Sequence, residues 1–317
     1  MRREQVVALA VVAAAAGCAM AGSFPGNPAD MYLTSDAANE VYQFERTSPW
    51  NYVPGTYAGT AMPQVFSNTS QVGPIAMYLG CVAGPNQDFW LGGFGGLVRI
   101  NSSTGAQIQN VAGGARLGPA EAPNGNVAVG GPSGIEEFDT SGNFVRTITP
   151  TGNGNALLTF NGNTMYSVPW GFGPQTIQLH DFVTGSPTGS IPVPFAPQEI
   201  AFGPDGALYA SALYESPSFE GLYRWDGSAW NLFADTSSLP GTGPHGFAWD
   251  PASLDLYLAF QTGEVQRFDG LTGAHLNQIA FVPTKLTDIL FTEVVPAPGS
   301  LAVLGLGGVV AMRRRRR

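Results

Sequence analysis

The sequence predicts an all-β chain folded as a six-bladed β-propeller. Three observations carry this: a strand-and-turn repeat runs through residues 29 to 293, its copies are spaced like single blades, and one strand is left over at the end. Each copy has an apolar strand, a short loop, a second strand ending near Asp or Asn, and a Ser/Thr-Gly turn into a third strand. The first three copies are Met31-Tyr-Leu-Thr with Val41-Tyr-Gln-Phe, Phe89-Trp-Leu-Gly with Leu97-Val-Arg-Ile, and Val127-Ala-Val-Gly with Ile135-Glu-Glu-Phe. Three more follow: Met165-Tyr-Ser-Val with Ile177-Gln-Leu-His, Leu208-Tyr-Ala-Ser with Leu222-Tyr-Arg-Trp, and Leu256-Tyr-Leu-Ala with Val265-Gln-Arg-Phe.

The aligned positions Tyr32, Trp90, Val127, Tyr166, Tyr209 and Tyr257 lie 58, 37, 39, 43 and 48 residues apart. All but the first interval fit a four-stranded blade of about 40 to 50 residues. The long one places an insertion near Pro49 to Val72, and a seventh, degenerate blade in that stretch is the alternative. Alternation along the second strand, Val265 and Arg267 against Gln266 and Phe268, predicts half-buried strands. Asp139, Asp226 and Asp269 stand just before Gly-containing turns, where Asp bonds its own backbone and Gly takes positive φ without steric cost. Another short strand precedes each later copy, as in Glu199-Ile-Ala-Phe and Gly246-Phe-Ala-Trp. The strand Thr287 to Glu293 has no copy behind it, and the first copy lacks a strand in front. The C-terminal strand is therefore expected to complete the N-terminal blade and close the ring.

Phrases such as Ile200-Ala-Phe-Gly-Pro-Asp-Gly-Ala-Leu-Tyr209 resemble the repeats of NHL-type and gluconolactonase-like six-bladed propellers over residues 29 to 293. The resemblance implies architecture, since this scaffold hosts binders, lyases and metal hydrolases alike. In a propeller the strand nearest the axis begins at the tunnel mouth, where Gln198, Glu199, His245 and Asp288 fall. Glu199, His245 and Asp288 would supply oxygen and imidazole ligands suited to Ca²⁺ or Zn²⁺, and the gluconolactonase-like hydrolases bind a divalent metal at this place. The corresponding positions elsewhere are Gly80, Gly118 and Ala156 or Leu157, which depart from that family. Pro244-His245-Gly246 resembles the strand start at which streptogramin-lyase-like propellers place a basic histidine. His180 and His275 are expected on the surface beside turns. Trp225 and Trp249 occupy repeat positions filled by Phe elsewhere and are assigned to the core. Trp170 and Phe219 fall in loops and are the candidates for ligand contact, for example by stacking on sugar faces. No nucleophile elbow, His-Glu-x-x-His, phosphate loop or paired-cysteine motif occurs.

Both chain ends look like addresses. Arg2 and Arg3 precede the apolar run Val6 to Ala16 and then Ala19-Met20-Ala21, the order of a secretory signal peptide, with cleavage expected after Ala21. Ala15-Ala16-Gly17-Cys18 offers a competing lipoprotein box, with Cys18 lipidated. At the other end Pro296-Ala297-Pro298, an apolar run from Leu301 to Met312 and Arg313, Arg314, Arg315, Arg316 and Arg317 follow one another. Twelve apolar residues reach about 18 Å as a helix, short of the roughly 30 Å hydrocarbon core. The composite resembles the PEP-CTERM sorting signal of Gram-negative bacteria, with Ala297 where that family normally has Glu. The resemblance implies removal by an exosortase-type protease, so signal peptidase and that protease are the expected partners. The expected organisation is a signal peptide at 1–21, a propeller at 22–294 and a sorting tail at 295–317.

Without both ends the chain keeps 7 basic and 22 acidic side chains, a net charge of −15, with Lys285 its one lysine. Such a chain repels phosphate backbones, which argues against nucleic-acid binding, and suits an exported protein. If Cys18 leaves, Cys81 stands alone as a small buried residue without a disulfide. The expected function is binding or structural, at the cell surface, outer envelope or extracellular matrix, with polysaccharide or surface proteins as partners. A metal-dependent, lactonase-like hydrolase is the alternative.

Overall fold

The computed structural model describes residues 30–36, 40–48, 51–54, 65–67, 78–83, 88–102, 104–150, 156–169, 171, 173–212, 219–241 and 243–291. The sequence-assigned ends, 1–21 and 295–317, lie outside them, as do Cys18, Pro85 and Asn86, Trp170, Phe172 and Tyr214. Among the described residues the chain is all strand, in six sheets around one ring. The first blade holds β1 (Met31–Ser35), β2 (Val41–Ser48), β3 (Asn51–Pro54) and β4 (Val65–Ser67). The second holds β5 (Tyr78–Ala83), β6 (Asp88–Gly93), β7 (Gly96–Asn101) and β8 (Gln107–Gly113). The third holds β9 (Leu117–Glu121), β10 (Val127–Gly131), β11 (Gly134–Phe138) and β12 (Phe144–Pro150). The fourth holds β13 (Ala156–Asn161), β14 (Thr164–Pro169), β15 (Gln175–Asp181) and β16 (Pro187–Val193). The fifth holds β17 (Pro197–Phe202), β18 (Leu208–Ala212), β19 (Gly221–Trp225) and β20 (Trp230–Asp235). The sixth holds β21 (Pro244–Trp249), β22 (Leu256–Phe260), β23 (Glu264–Phe268) and β24 (His275–Phe281), and β25 (Leu286–Phe291) returns to the first blade.

The leftover strand does what its lack of a following repeat implied. β25 pairs antiparallel with β1, Leu33 opposite Ile289 and Thr34 opposite Asp288. Thr34 and Thr287 share a 2.9 Å hydroxyl bond, and Ser35 and Thr284 one of 2.8 Å. The long first interval does not hold a seventh blade among the described residues. β3 and β4 both pair with β2, so the extra chain enlarges the first sheet to five strands.

The half-buried expectation for the second strand of each copy holds on β15, β19 and β23, which mix buried and half-buried positions, and is corrected for β7 and β11. β6, β7, β10, β11, β18 and β22 are buried along almost their whole length, because a blade presses one face on each neighbour. Val265, Gln266 and Phe268 are all covered, although their side chains point to opposite faces. Water is met instead by the outermost strands β8, β16 and β24.

The column of aromatic residues that marked the repeat is the joint between blades. Tyr166 meets Phe202 at 5.0 Å between ring centroids, Tyr209 meets Trp249 at 4.8 Å, and Tyr257 meets Phe291 at 5.2 Å. Each pair links the second strand of one blade to the inner strand of the next, at about 0.5–1.5 kcal/mol beyond the area buried. Where aromatics are absent the blades close by backbone contact. Gly118, at φ +54°, lies so near the fourth blade that a Cβ there would sit 2.7 Å from the Leu157 Cα. Only glycine meets both demands.

Every arginine among the described residues is paired with a carboxylate: Arg46 with Asp250, Arg99 with Asp88, Arg116 with Glu136, Arg146 with Glu137, Arg224 with Asp205 and Arg267 with Asp255. Most pairs tie strands of one blade, but Arg46 on β2 reaches the sixth blade and grips Asp250 with two 3.0 Å bonds. Asp250 is wholly buried there, at 0% exposure. Arg46→Ala would strand that charge in the interior and should lower unfolding free energy by about 3–5 kcal/mol. Arg224→Ala, at a pair that is 40% and 38% exposed, should cost under about 1 kcal/mol. Denaturant titration of the two variants checks the contrast, and equal losses would contradict it.

Candidate functional site

The six inner strands β5, β9, β13, β17, β21 and β25 stand side by side around the axis. Four of them begin in the same irregular way. In β17 the pairing passes from Pro197 to Glu199, in β21 from Pro244 to Gly246, in β25 from Leu286 to Asp288, and in β5 from Tyr78 to Gly80. Gln198, His245, Thr287 and Leu79 are thus the bulged residues, and Glu199, Gly246, Asp288 and Gly80 are structural equivalents. A bulge re-aims side chains at a strand end.

Glu199 and Asp288 both use that position to reach the next blade. Glu199 Oε2 accepts the Phe247 backbone N–H at 2.5 Å, and Asp288 Oδ2 accepts the Cys81 N–H at 2.7 Å. Asp288 Oδ1 also accepts its neighbour Ile289 N–H at 2.7 Å. His245 lies one position earlier than these carboxylates. Its Nδ1 sits 2.9 Å from the Thr287 carbonyl, which fixes Nδ1 as the protonated nitrogen, while its own carbonyl accepts the Ser211 hydroxyl at 2.7 Å. From the fifth blade through the sixth and first to the second, each junction at the mouth therefore carries a side-chain-to-backbone bond.

Burial pushes both carboxyls up, most strongly Glu199, and the Asp288 charge raises Glu199 further. Asp288 is raised to about 6 by burial, although the Cys81 and Ile289 backbone donors and the Cys81 thiol pull the other way. The Cys81 thiol is raised well above its ordinary value by burial and then by Asp288 and Glu199. His245 is lowered to about 4, chiefly by burial, so it is neutral at pH 7. Two acidic groups within electrostatic reach favour one retained proton, since like charges in a dry site cannot both ionise cheaply.

The anticipated set of Glu199, His245 and Asp288 is not assembled. Gly246, the equivalent of the two carboxylates on β21, leaves no room for a side chain, as a Cβ there would lie 2.4 Å from the Asp288 Cα. His245 is turned to Thr287, and among the described residues no group of three or more His, Cys, Asp or Glu side chains could hold a metal ion. Cys81 instead bonds Asp288 and lies within electrostatic reach of Glu199. Sequence reasoning listed its neighbour Gly80 at the mouth and passed over the next position.

Phe219 does not stand free in a loop: it is half-buried, 5.4 Å from Phe195 and 5.7 Å from Tyr223. Trp225 and Trp249 are half-buried and packed on hydrophobic clusters. His180, expected at the surface, is buried on β15 with Nδ1 3.3 Å from the Gly185 carbonyl. His275 is exposed, as expected. Asp139, Asp226 and Asp269 accept backbone N–H groups of the following turn, as their spacing required.

No known family model and no curated protein matches the chain. Solved structures do. One chain of a nidogen–laminin complex aligns with a TM-score of 0.61 at 12% identity, covering 83% of this chain and 98% of that one. A Bacteroides caccae protein of unknown function gives 0.61 at 12% identity, covering 84% and 100%. Regucalcin from Agrobacterium tumefaciens, a calcium-binding protein, gives 0.55 at 16%, covering 73% and 87%. At these identities the likeness establishes the six-bladed propeller.

The axial groups set a pH dependence with two opposed parts. Raised carboxyl pKa values give stability that is complete below the unfolded range near pH 4 and is lost as pH rises through about 6 and beyond. The lowered His245 value gives stability that is present above about 6.5 and lost as pH falls toward 4. Above about pH 6.5 only the carboxyl part remains, so stability should decline from pH 6.5 to 8.5. Glu199→Gln, which keeps an acceptor for Phe247 and removes the charge, should flatten that decline. Chemical denaturation across this range measures it, and an unchanged slope would show that the pair does not share a proton.

Proposed function

We propose that this chain is an exported, non-enzymatic propeller that binds or builds at the cell surface or in the extracellular matrix. The observation that carries the reading is the use of the axial side chains. Glu199, Asp288 and His245 each bond a neighbouring inner strand, so these polar groups at the mouth hold the ring together rather than facing a substrate. The two addresses in the sequence supply the delivery: a leader removed after Ala21 by signal peptidase, and a Pro296-Ala297-Pro298 tail with Arg313 to Arg317 cleaved by an exosortase-type protease. The body's charge fits the same place, because its acidic excess and its paired arginines leave little to attract a polyanion.

A second reading, a cation-dependent hydrolase, is favoured by one feature, the Glu199 and Asp288 carboxylates facing the same axis. Two carboxylates already accepting backbone donors are a poor start for Ca²⁺, which takes six to eight oxygens, and the third expected ligand is turned aside.

Intact-mass analysis of the protein from its native host should find Gly22 first and Arg313 to Arg317 missing, in an envelope or extracellular fraction. A cytosolic protein with Met1 and the arginines retained would overturn the reading. Melting temperature should not respond to chelator or millimolar calcium, whereas a chelator-reversed rise of several degrees would establish the second reading.

A further inference from the structure

A cleft of about 420 Å³ opens between the third and fourth blades, within the range of small-ligand sites. It lies on the face opposite the tunnel mouth, since the Asn124 turn joins β9 to β10 and Asn163 joins β13 to β14, both at the far ends of inner strands. Its floor is Glu137, 1% exposed, whose carboxylate accepts Asn124 Nδ2 at 2.7 Å, Asn126 Nδ2 at 2.6 Å and Arg146 Nε at 2.6 Å. Arg146 also crosses to the fourth blade, donating to the carbonyls of Val183 at 2.5 Å and Phe182 at 2.7 Å. The cleft is therefore rigid and its charges are balanced. Burial alone would raise Glu137, yet those three donors keep it below the usual carboxylate range.

Amides and apolar surface remain for a ligand. Asn163 is exposed beside the cleft, the amides of Asn124 and Asn126 are pinned from behind, and Val145 and Val183 stand 48% and 59% exposed along its walls. Fixed amides both donate and accept, as sugar hydroxyls require, and exposed valines suit the C–H face of a ring. The paired Glu137 and Arg146 leave the cleft no net charge to hold a cation, and a polyanion would meet a chain of net charge −9 whose described arginines are all paired. Resting on the reading of the propeller as a binder, we propose that the cleft between the third and fourth blades holds a neutral sugar residue of a glycan chain.

Calorimetric titration of the full chain with cellohexaose, maltohexaose and chitohexaose, and with oligogalacturonate as the charged comparison, tests this. At least one neutral hexasaccharide should bind, Asn163→Ala and Val183→Asp should each weaken it tenfold or more, and Leu271→Ser on the sixth blade should leave it within twofold. Asn163→Ser serves if either cleft variant melts early. Binding indifferent to the cleft variants would overturn the location while leaving the binder reading intact. Failure of every neutral oligosaccharide, or equal affinity for oligogalacturonate, would overturn the ligand class, and the mass analysis of the native protein then decides the delivery reading separately.

Discussion

The pairing of β25 with β1 is the interaction on which the rest of this molecule depends. A propeller blade is apolar on both faces, so an open row of six would expose two such faces, one at each end. Joining Leu33 to Ile289 and Met31 to Phe291 seals the first blade against the sixth and removes both. The cost is a long loop closure, but that entropy grows only with the logarithm of length. Hydroxyl bonds between Thr34 and Thr287 and between Ser35 and Thr284 then fix the register of a strand that a slip of one residue would turn inside out. Arg46 adds a buried grip from the closing blade onto Asp250.

Closure also decides what the axis can do. Asp288 reaches the tunnel only because β25 is held beside β1, and from there it bonds Cys81 of the second blade. Glu199 makes the corresponding bond to Phe247. Half of the ring is thus joined at the mouth by buried polar side chains. The second, third and fourth blades, around Gly80 and Gly118, are joined by close approach of the main chain. Buried polar bonds of this kind contribute modestly when made and cost more when one partner is removed. They explain why acidic residues at the tunnel mouth can serve the scaffold.

The architecture was legible because it repeats. Tyr166, Tyr209 and Tyr257 stand out in the sequence for the same reason they matter in the fold: each fills the same inter-blade contact. The strand around Asp288 was recognisable by having no repeat behind it. The full burial of β7 and β11 was not legible, since period-two alternation is read on the assumption that one face meets water, and there both meet protein. The site was legible only in part. Glu199 and Asp288 were found as polar residues at strand starts, but the bulge that sets His245 one position out of line is invisible in a linear pattern. Cys81 was missed because a single apolar-looking cysteine carries no spacing signal. The Glu137 cleft was missed because its members come from two blades and read individually as turn and strand residues.

Truncation at two points tests the central claim most directly. A chain ending at Phe291 keeps β25, whereas one ending at residue 285 loses it, and thermal unfolding compares the two. The account predicts that the first retains one cooperative transition near that of the full chain, while the second loses cooperative unfolding and exposes apolar surface to a hydrophobic dye. A chain ending at residue 285 that melts cooperatively at the same temperature would show that the ring does not depend on its closing strand.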